Sequence, residues 1–114
     1  MTTLFAKIVR GELPCQKVFE NERILAFKDI YPQAPVHLLI IPKKEIPNLQ
    51  SVQAEDLPLI AEIILVAQKL AAEFNIDQDG YRLMTNNGPN AGQIVDHLHF
   101  HLIGGKKLGH FSVG

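Results

Sequence analysis

Apolar positions along the chain change their spacing several times, and each change marks an element. Near the start, Leu4, Phe5, Ile8 and Val9 share one helical face, with Thr2 or Thr3 as a cap and Gly11 as a stop. A brief helix is expected there. Residues 18–20 and 24–27 are β-prone and flank the polar Asn21-Glu22-Arg23, a connection of hairpin length. Pro32-Gln33-Ala34-Pro35 forbids regular structure, after which residues 36–41 (VHLLII) read as a buried strand that Pro42 ends. His37 lies inside it.

The clearest helix begins near Asp56, accepts Pro58 in its first turn, and sets Ile60, Ile63, Ile64, Ala67, Leu70, Ala71 and Phe74 at helical spacing against the core. Leu59, Leu65 and Val66 fall partly outside that stripe. The helix thus carries more apolar surface than one sheet contact needs, and a second packing partner is expected. Residues 81–85 and 95–103 read as strands joined by Asn86-Asn87-Gly88-Pro89-Asn90-Ala91-Gly92, a loop of residues that tolerate unusual backbone angles. Strands outnumber helices and are mostly joined directly. The class is therefore α+β with an antiparallel sheet.

Composition narrows the function. The 114 residues are 46% hydrophobic and 20% charged, with neither repeats nor a linker-like shift, so residues 1–114 read as one domain able to bury a core without staples. Eleven basic against twelve acidic residues, and no run of Lys or Arg longer than two, argue against nucleic acid or a membrane surface as partner. The single cysteine, Cys15, excludes an internal disulfide and a multi-cysteine zinc site. Residues 1–11 lack the apolar core of a signal peptide, and no stretch approaches the ~20 apolar residues of a membrane span. A cytoplasmic protein is expected.

The chemistry gathers near the end of the chain, where His97, His99 and His101 alternate with Leu98, Phe100 and Leu102. On a strand such residues repeat about every 6.6 Å on one face, so the imidazoles would form a row. A lone strand histidine is most often a satisfied core or surface residue; three in alternation ask for a function. A zinc site is one reading, but the outer pair would stand roughly 13 Å apart at the backbone, too far for bonds of ~2.0 Å to one ion. Asp96 faces the other way, so His37 would have to supply the missing ligand. A phosphoryl group fits the row better, because several imidazoles can touch it without meeting at a point. Neutral imidazole is a nucleophile, and a ring N–H stabilises developing negative charge. Gly88 and Gly92 free the preceding loop to aim backbone N–H groups at an anion, and Gln93 adds a side-chain donor. Gly104-Gly105-Lys106-Lys107 lacks the spacing of a Walker A loop, and no G-x-G-x-x-G occurs.

The run from Gly92 to Gly105 (GQIVDHLHFHLIGG) resembles the histidine triad signature, H-x-H-x-H followed by apolar residues. Leu4-Phe5-Ala6-Lys7-Ile8, Ala26-Phe27-Lys28-Asp29-Ile30, Pro32-Gln33-Ala34-Pro35-Val36-His37 and Ile40-Ile41-Pro42-Lys43-Lys44 are similar to the Hint branch of that family, so the resemblance covers nearly the whole chain. It implies a HIT-like fold: an antiparallel sheet of about five strands, a short N-terminal helix and one long helix. It also implies a hydrolase of purine nucleoside 5'-phosphoramidates (AMP- or GMP-amine conjugates), without cofactor or metal, acting as a homodimer. By the same resemblance His99 is the nucleophile, His101 holds phosphate oxygens, and His97 and His37 orient the row. Asn86 and Gln93 match phosphate and leaving-group contacts, Asp29 the ribose-binding acid, and Leu4, Phe5, Ile8, Phe27 and Ile30 the base pocket.

Two departures stand out. Ile94 replaces a serine found beside the leaving group, and the carboxyl-terminal end lacks a tryptophan-proline ending. His110 reads as a tail residue. Competing readings are a hydrolase of dinucleoside polyphosphates or other nucleotidyl conjugates, and a non-catalytic nucleotide- or zinc-binding module.

Overall fold

The computed structural model describes residues 2–109; His110 lies outside them. Five strands, β1 (Lys17–Glu20), β2 (Ile24–Lys28), β3 (Val36–Pro42), β4 (Tyr81–Met84) and β5 (Phe100–Gly104), form one antiparallel sheet in the order β1-β2-β3-β5-β4. A short helix α1 (Leu4–Val9) and a long helix α2 (Leu57–Glu73) pack on it. The α+β class and the count of elements agree with the sequence pattern.

The pleat sends alternate residues to opposite faces. Ile24, Ala26, Leu38, Ile40 and Leu102 meet α2 through Ile63, Val66, Ala67, Leu70 and Ala71. Leu25, Phe27, Leu39 and Ile41 meet Phe5 and Ile8 of α1 on the other side. Both faces of β2 and β3 are covered, which is why these strands are continuous apolar runs rather than alternating ones.

Local chemistry sets the element ends. The Thr3 hydroxyl accepts from the Ala6 N–H at 3.1 Å and caps α1. In the β1–β2 turn Asn21 Oδ1 accepts from the N–H groups of Arg23 and Ile24 at 2.8 and 2.7 Å. Glu62 of α2 then receives Asn21 Nδ2 at 2.8 Å and Arg23 Nε at 2.7 Å, pinning the hairpin to the helix. Before α2, the buried Asp56 carboxylate accepts from Lys44 Nζ at 2.5 Å and from the Gln53 N–H at 3.1 Å.

Two expectations need correction. The buried stripe of α2 is centred on Ile63, Val66, Ala67, Leu70 and Ala71, whereas Ile64 is 44% exposed. With Ile63 at 0° and ~100° per residue, the buried residues span about −60° to +80°, and Ile64 at about 100° falls just outside that arc. Val66 belongs to the core, Leu59 packs at its edge, and the outward apolar residues are Leu57, Ile64 and Leu65.

The second correction concerns residues 95–103: only Phe100–Gly104 is strand. Register with β3 reaches no further than Ile40 opposite Phe100, and register with β4 ends at Met84 opposite His101. Without a partner the chain bends at 95–97, and the Leu98 N–H donates instead to the Ile46 carbonyl at 2.7 Å. Among the described residues no helix is long and apolar enough to cross a membrane.

Candidate active site

The site lies on the α1 face of the sheet. Register places His37 opposite Ile103 and Leu39 opposite His101, so His37 and His101 are diagonal neighbours on one face of β3 and β5. Their rings approach with His37 Nε2 2.9 Å from His101 Nδ1. His99 sits one step before the strand, with its ring centroid 5.2 Å from that of His101. His97 is drawn beneath the site, where its Nε2–H donates to the Pro42 carbonyl at 2.8 Å. The three triad histidines therefore do not form a regular strand row. Bending at 95–97 replaces the straight spacing expected from alternation.

Hydrogen-bond partners fix which ring nitrogens carry protons. The Gln33 backbone N–H donates to His37 Nδ1 at 3.0 Å, so the neutral His37 ring holds its proton on Nε2 and offers it to His101 Nδ1. While that bond is made, His101 carries its own proton on Nε2. His99 Nδ1–H donates to the His97 carbonyl at 2.7 Å, which leaves Nε2 with a free lone pair. An unprotonated nitrogen on His99 thus stands beside a ring with an N–H donor on His101. That pairing can attack an electrophilic centre and stabilise the charge that develops on it.

Burial favours the neutral form of three of these rings, His37, His97 and His101. It lowers His101 to about 4, with the neighbouring His99 and His37 rings adding to the effect. Burial also lowers His97 and His37, opposed in His97 chiefly by the Pro42 carbonyl and in His37 by the Asp29 carboxylate. Phe5 closes the apolar side, meeting His99 edge to face at 5.0 Å and Phe27 at 5.6 Å.

Asp29 follows β2. Its Oδ1 accepts from the Tyr31 N–H at 2.8 Å, and its Oδ2 lies 3.3 Å from His37 Nε2. The fold thus brings Asp29 to the histidines. Thr85, which the sequence did not single out, donates its hydroxyl to the His99 carbonyl at 2.7 Å and anchors that residue to the end of β4. Asn86 is half-buried next to it.

Gln93 plays a different part from the one expected. Its Oε1 accepts from the Gly88 N–H at 2.8 Å, and its Nε2 donates to the carbonyls of Pro47 and Val95 at 2.9 and 3.0 Å. Both amide protons are used inside the protein. The N–H groups of Ala91, Gly92 and Gln93 are likewise held by the carbonyls of Gly88 and Pro89, so these loop amides are not the anion cradle that the glycines suggested. Of the apolar residues assigned to a base pocket, Phe5, Ile8 and Phe27 are buried in the α1-side core. Leu4 is exposed, and Ile30 is 79% exposed in the loop after β2. Ile94 is 92% exposed.

Asp29, His37 and His101 offer ligand atoms within 4.8 Å of one another, the only arrangement among the described residues that invites a metal. The chemistry of this set opposes one. A metal-bound imidazole needs its other nitrogen to donate, whereas His37 Nδ1 accepts the Gln33 N–H and its proton occupies the nitrogen that faces the cluster. The positioning contacts from Gln33 and to Pro42 and His97 are all to backbone, and side-chain identity carries no signal for them.

Comparison with known proteins identifies the family and the fold. A model of the HIT domain matches residues 10–108. A HIT-like protein of Chlamydia pneumoniae is 55% identical over 107 residues, covering 94% of this chain and 96% of that protein. The purine nucleoside phosphoramidase of Escherichia coli K12 is 46% identical over 107 residues, covering 94% of this chain and 90% of its own. The structure of a histidine triad protein from Clostridium difficile superposes with a TM-score of 0.94 at 41% identity, covering 98% of this chain and 97% of that one. With the imidazole cluster held on the same fold and the match running almost from end to end, the chain belongs to the HIT domain family.

Proposed function

We propose that the protein is a hydrolase that cleaves the P–N bond of purine nucleoside 5'-phosphoramidates through a nucleotidyl-His99 intermediate. The observation that carries this reading is the Nδ1–H of His99 bound to the His97 carbonyl at 2.7 Å, which leaves Nε2 as a nucleophile. That lone pair attacks the α-phosphorus, the P–N bond breaks, and the departing amine keeps the electron pair and takes a proton from water. His101 donates its Nε2–H to a phosphoryl oxygen as negative charge builds. Water then attacks phosphorus, the bond to His99 breaks, and the ring recovers its lone pair while a proton passes to solvent.

In this reading the Asp29 carboxylate accepts ribose hydroxyls. Leu4, Ile30 and the rim of Phe5, Ile8 and Phe27 flank the base, Asn86 lies on the phosphate side, and Gln93 shapes the loop. The similarity to the Escherichia coli purine nucleoside phosphoramidase supports the substrate class. The outward Leu57, Ile64 and Leu65 on α2 support a homodimer in which that face meets its own copy. The protein would act in the cytoplasm on a small nucleotide, with no nucleic-acid partner.

The test is amine release from an adenosine 5'-phosphoramidate alongside cleavage of a dinucleoside polyphosphate. Faster turnover of the phosphoramidate, with a nucleotide adduct on His99 after acid quenching, is expected. Preference for the polyphosphate would overturn the substrate class, and absence of any adduct would overturn the mechanism.

A further inference from the structure

We infer that His37 is a positioning residue that shares its one proton between Asp29 and His101, so that a sugar hydroxyl bound at Asp29 prepares the donor that meets the phosphate. The inference deepens the phosphoramidase reading and rests on it.

Three distances carry the argument. The Gln33 backbone N–H occupies His37 Nδ1 at 3.0 Å, and a main-chain amide does not titrate, so the ring has a single proton and it sits on Nε2. That proton faces two acceptors, His101 Nδ1 at 2.9 Å and Asp29 Oδ2 at 3.3 Å. The ring is only 6% exposed, so solvent contributes little to the choice between them.

The choice matters because it sets what His101 presents. While His37 donates to His101 Nδ1, the His101 proton must be on Nε2, and the ring offers an N–H to a phosphoryl oxygen. If the His37 ring tilts so that its Nε2–H points at Asp29 and away from His101, His101 Nδ1 is free to take up the ring proton. Nε2 then presents a lone pair, which repels that oxygen.

Asp29 is built to respond to a sugar. Its Oδ1 accepts the Tyr31 N–H at 2.8 Å, while Oδ2 is the oxygen that faces His37, so a ligand hydroxyl on Oδ2 competes directly with the His37 proton. A hydroxyl donating there weakens the pull of Asp29 on the His37 proton and leaves His101 as its acceptor. Sugar binding and the phosphate-side donor are thereby coupled through one imidazole. The loop that bears Asp29 also supplies the Gln33 amide, so both controls on His37 come from residues 29–33.

Two measurements test the coupling. The first is the ¹⁵N signature of the His101 imidazole in the free protein and with AMP or 2',3'-dideoxy-AMP bound. AMP is expected to shift the ring toward an Nε2–H tautomer and the dideoxy compound to leave it nearly as in the free protein; identical signatures for both would overturn the proposal. The second is turnover of ribose and dideoxyribose phosphoramidates. Loss of the hydroxyls is expected to lower kcat by about tenfold, beyond any change in KM, in the wild type. In His37→Leu the two kcat values are expected to converge, while His37→Gln, which keeps a donor toward His101, preserves part of the ratio. A loss confined to KM, or an unchanged ratio in His37→Leu, would also overturn it. If His37→Leu does not fold, the wild-type spectra and His37→Gln decide. Absence of turnover with every phosphoramidate would count against the phosphoramidase reading alone, since the spectra need no catalysis.

Discussion

His99 Nδ1 donates to the carbonyl oxygen of His97, two residues earlier in the same chain, at 2.7 Å. A nucleophilic imidazole is commonly oriented by a carboxylate, which also stabilises the charged ring. Here a neutral peptide oxygen does the orienting, and it is available only because the chain leaves the sheet and bends at 95–97. The ring is aimed without a carboxylate beside it.

His99→Ala is therefore expected to abolish the covalent nucleotide adduct and to lower turnover by about 10³-fold or more. Far-UV circular dichroism is expected to stay native, because Thr85 holds the His99 backbone carbonyl, which the substitution keeps, and only the side-chain bond to the His97 carbonyl is lost. An adduct on another histidine in quenched wild-type reactions would reassign the nucleophile.

The neutral histidines also make stability depend on pH. Burial holds His101 at about 4 and lowers His97 and His37, against roughly 6.5 for histidine in the unfolded chain. Below pH ~6.5 the unfolded chain binds protons that the folded one refuses, so stability present above that pH is lost as pH falls toward about 4. His101 is partly solvent-exposed, and a discounted loss of about 1 to 2 kcal/mol between pH 7 and 5 is expected. Urea midpoints measured above pH 5 isolate this window from the carboxylates, such as Glu20, which Lys17 and Lys43 hold at about 2. His101→Asn is expected to flatten the slope; a slope unchanged by it would place the effect elsewhere.

How much of this was legible in the residues follows from where the backbone finds partners. ILAF in β2 and LLII in β3 are buried on both faces, so a run of apolar residues described them correctly. Thr3 and the Asn21 turn were readable because their side chains make the local bonds. Residues 95–99 were not, because His/apolar alternation imitates a strand even where no neighbour remains beyond Ile40 and Met84 to pair with. On α2 two overlapping apolar stripes were possible, and only the sheet decides that Val66 is inside and Ile64 outside. Gln93 looked like a free donor, since its three internal partners are backbone groups brought together by the loop fold.

The outward row on α2 leads to a prediction of assembly. Leu57 and Leu65 are more than half exposed with Ile64 between them, a patch more apolar than an isolated helix face in water favours. Sedimentation at micromolar concentration is expected to give twice the 12.7 kDa chain mass. Leu65→Glu is expected to shift the protein to monomers without unfolding it. A wild-type monomer at that concentration would remove the dimer from the proposal.

Ile94 supplies the sharpest probe of leaving-group chemistry. Its side chain is 92% exposed beside Gln93, so it packs against almost nothing, and Ile94→Ser is expected to change stability by less than about 0.5 kcal/mol. Any effect on rate then reports chemistry rather than folding. An isoleucine cannot donate a hydrogen bond to a departing amine, so the proton that the amine requires must come from water. In the proposed mechanism, a serine hydroxyl there, as in the family the chain resembles, would supply a donor to the breaking bond. Donors that act only in the transition state are worth on the order of 10² in rate, and those that also bind the ground state are worth less. Alkylamines leave as poor anions and depend on protonation, whereas aryl amines depend on it far less. Ile94→Ser is therefore expected to accelerate alkylamine release by up to about tenfold and aryl amine release by much less, the two measured side by side as kcat/KM on AMP conjugates. Equal acceleration of both would show that the substitution acts on nucleotide binding or on the loop. No acceleration of either would show that water already protonates the amine fast enough, and that breaking the P–N bond at His99 does not wait for the proton.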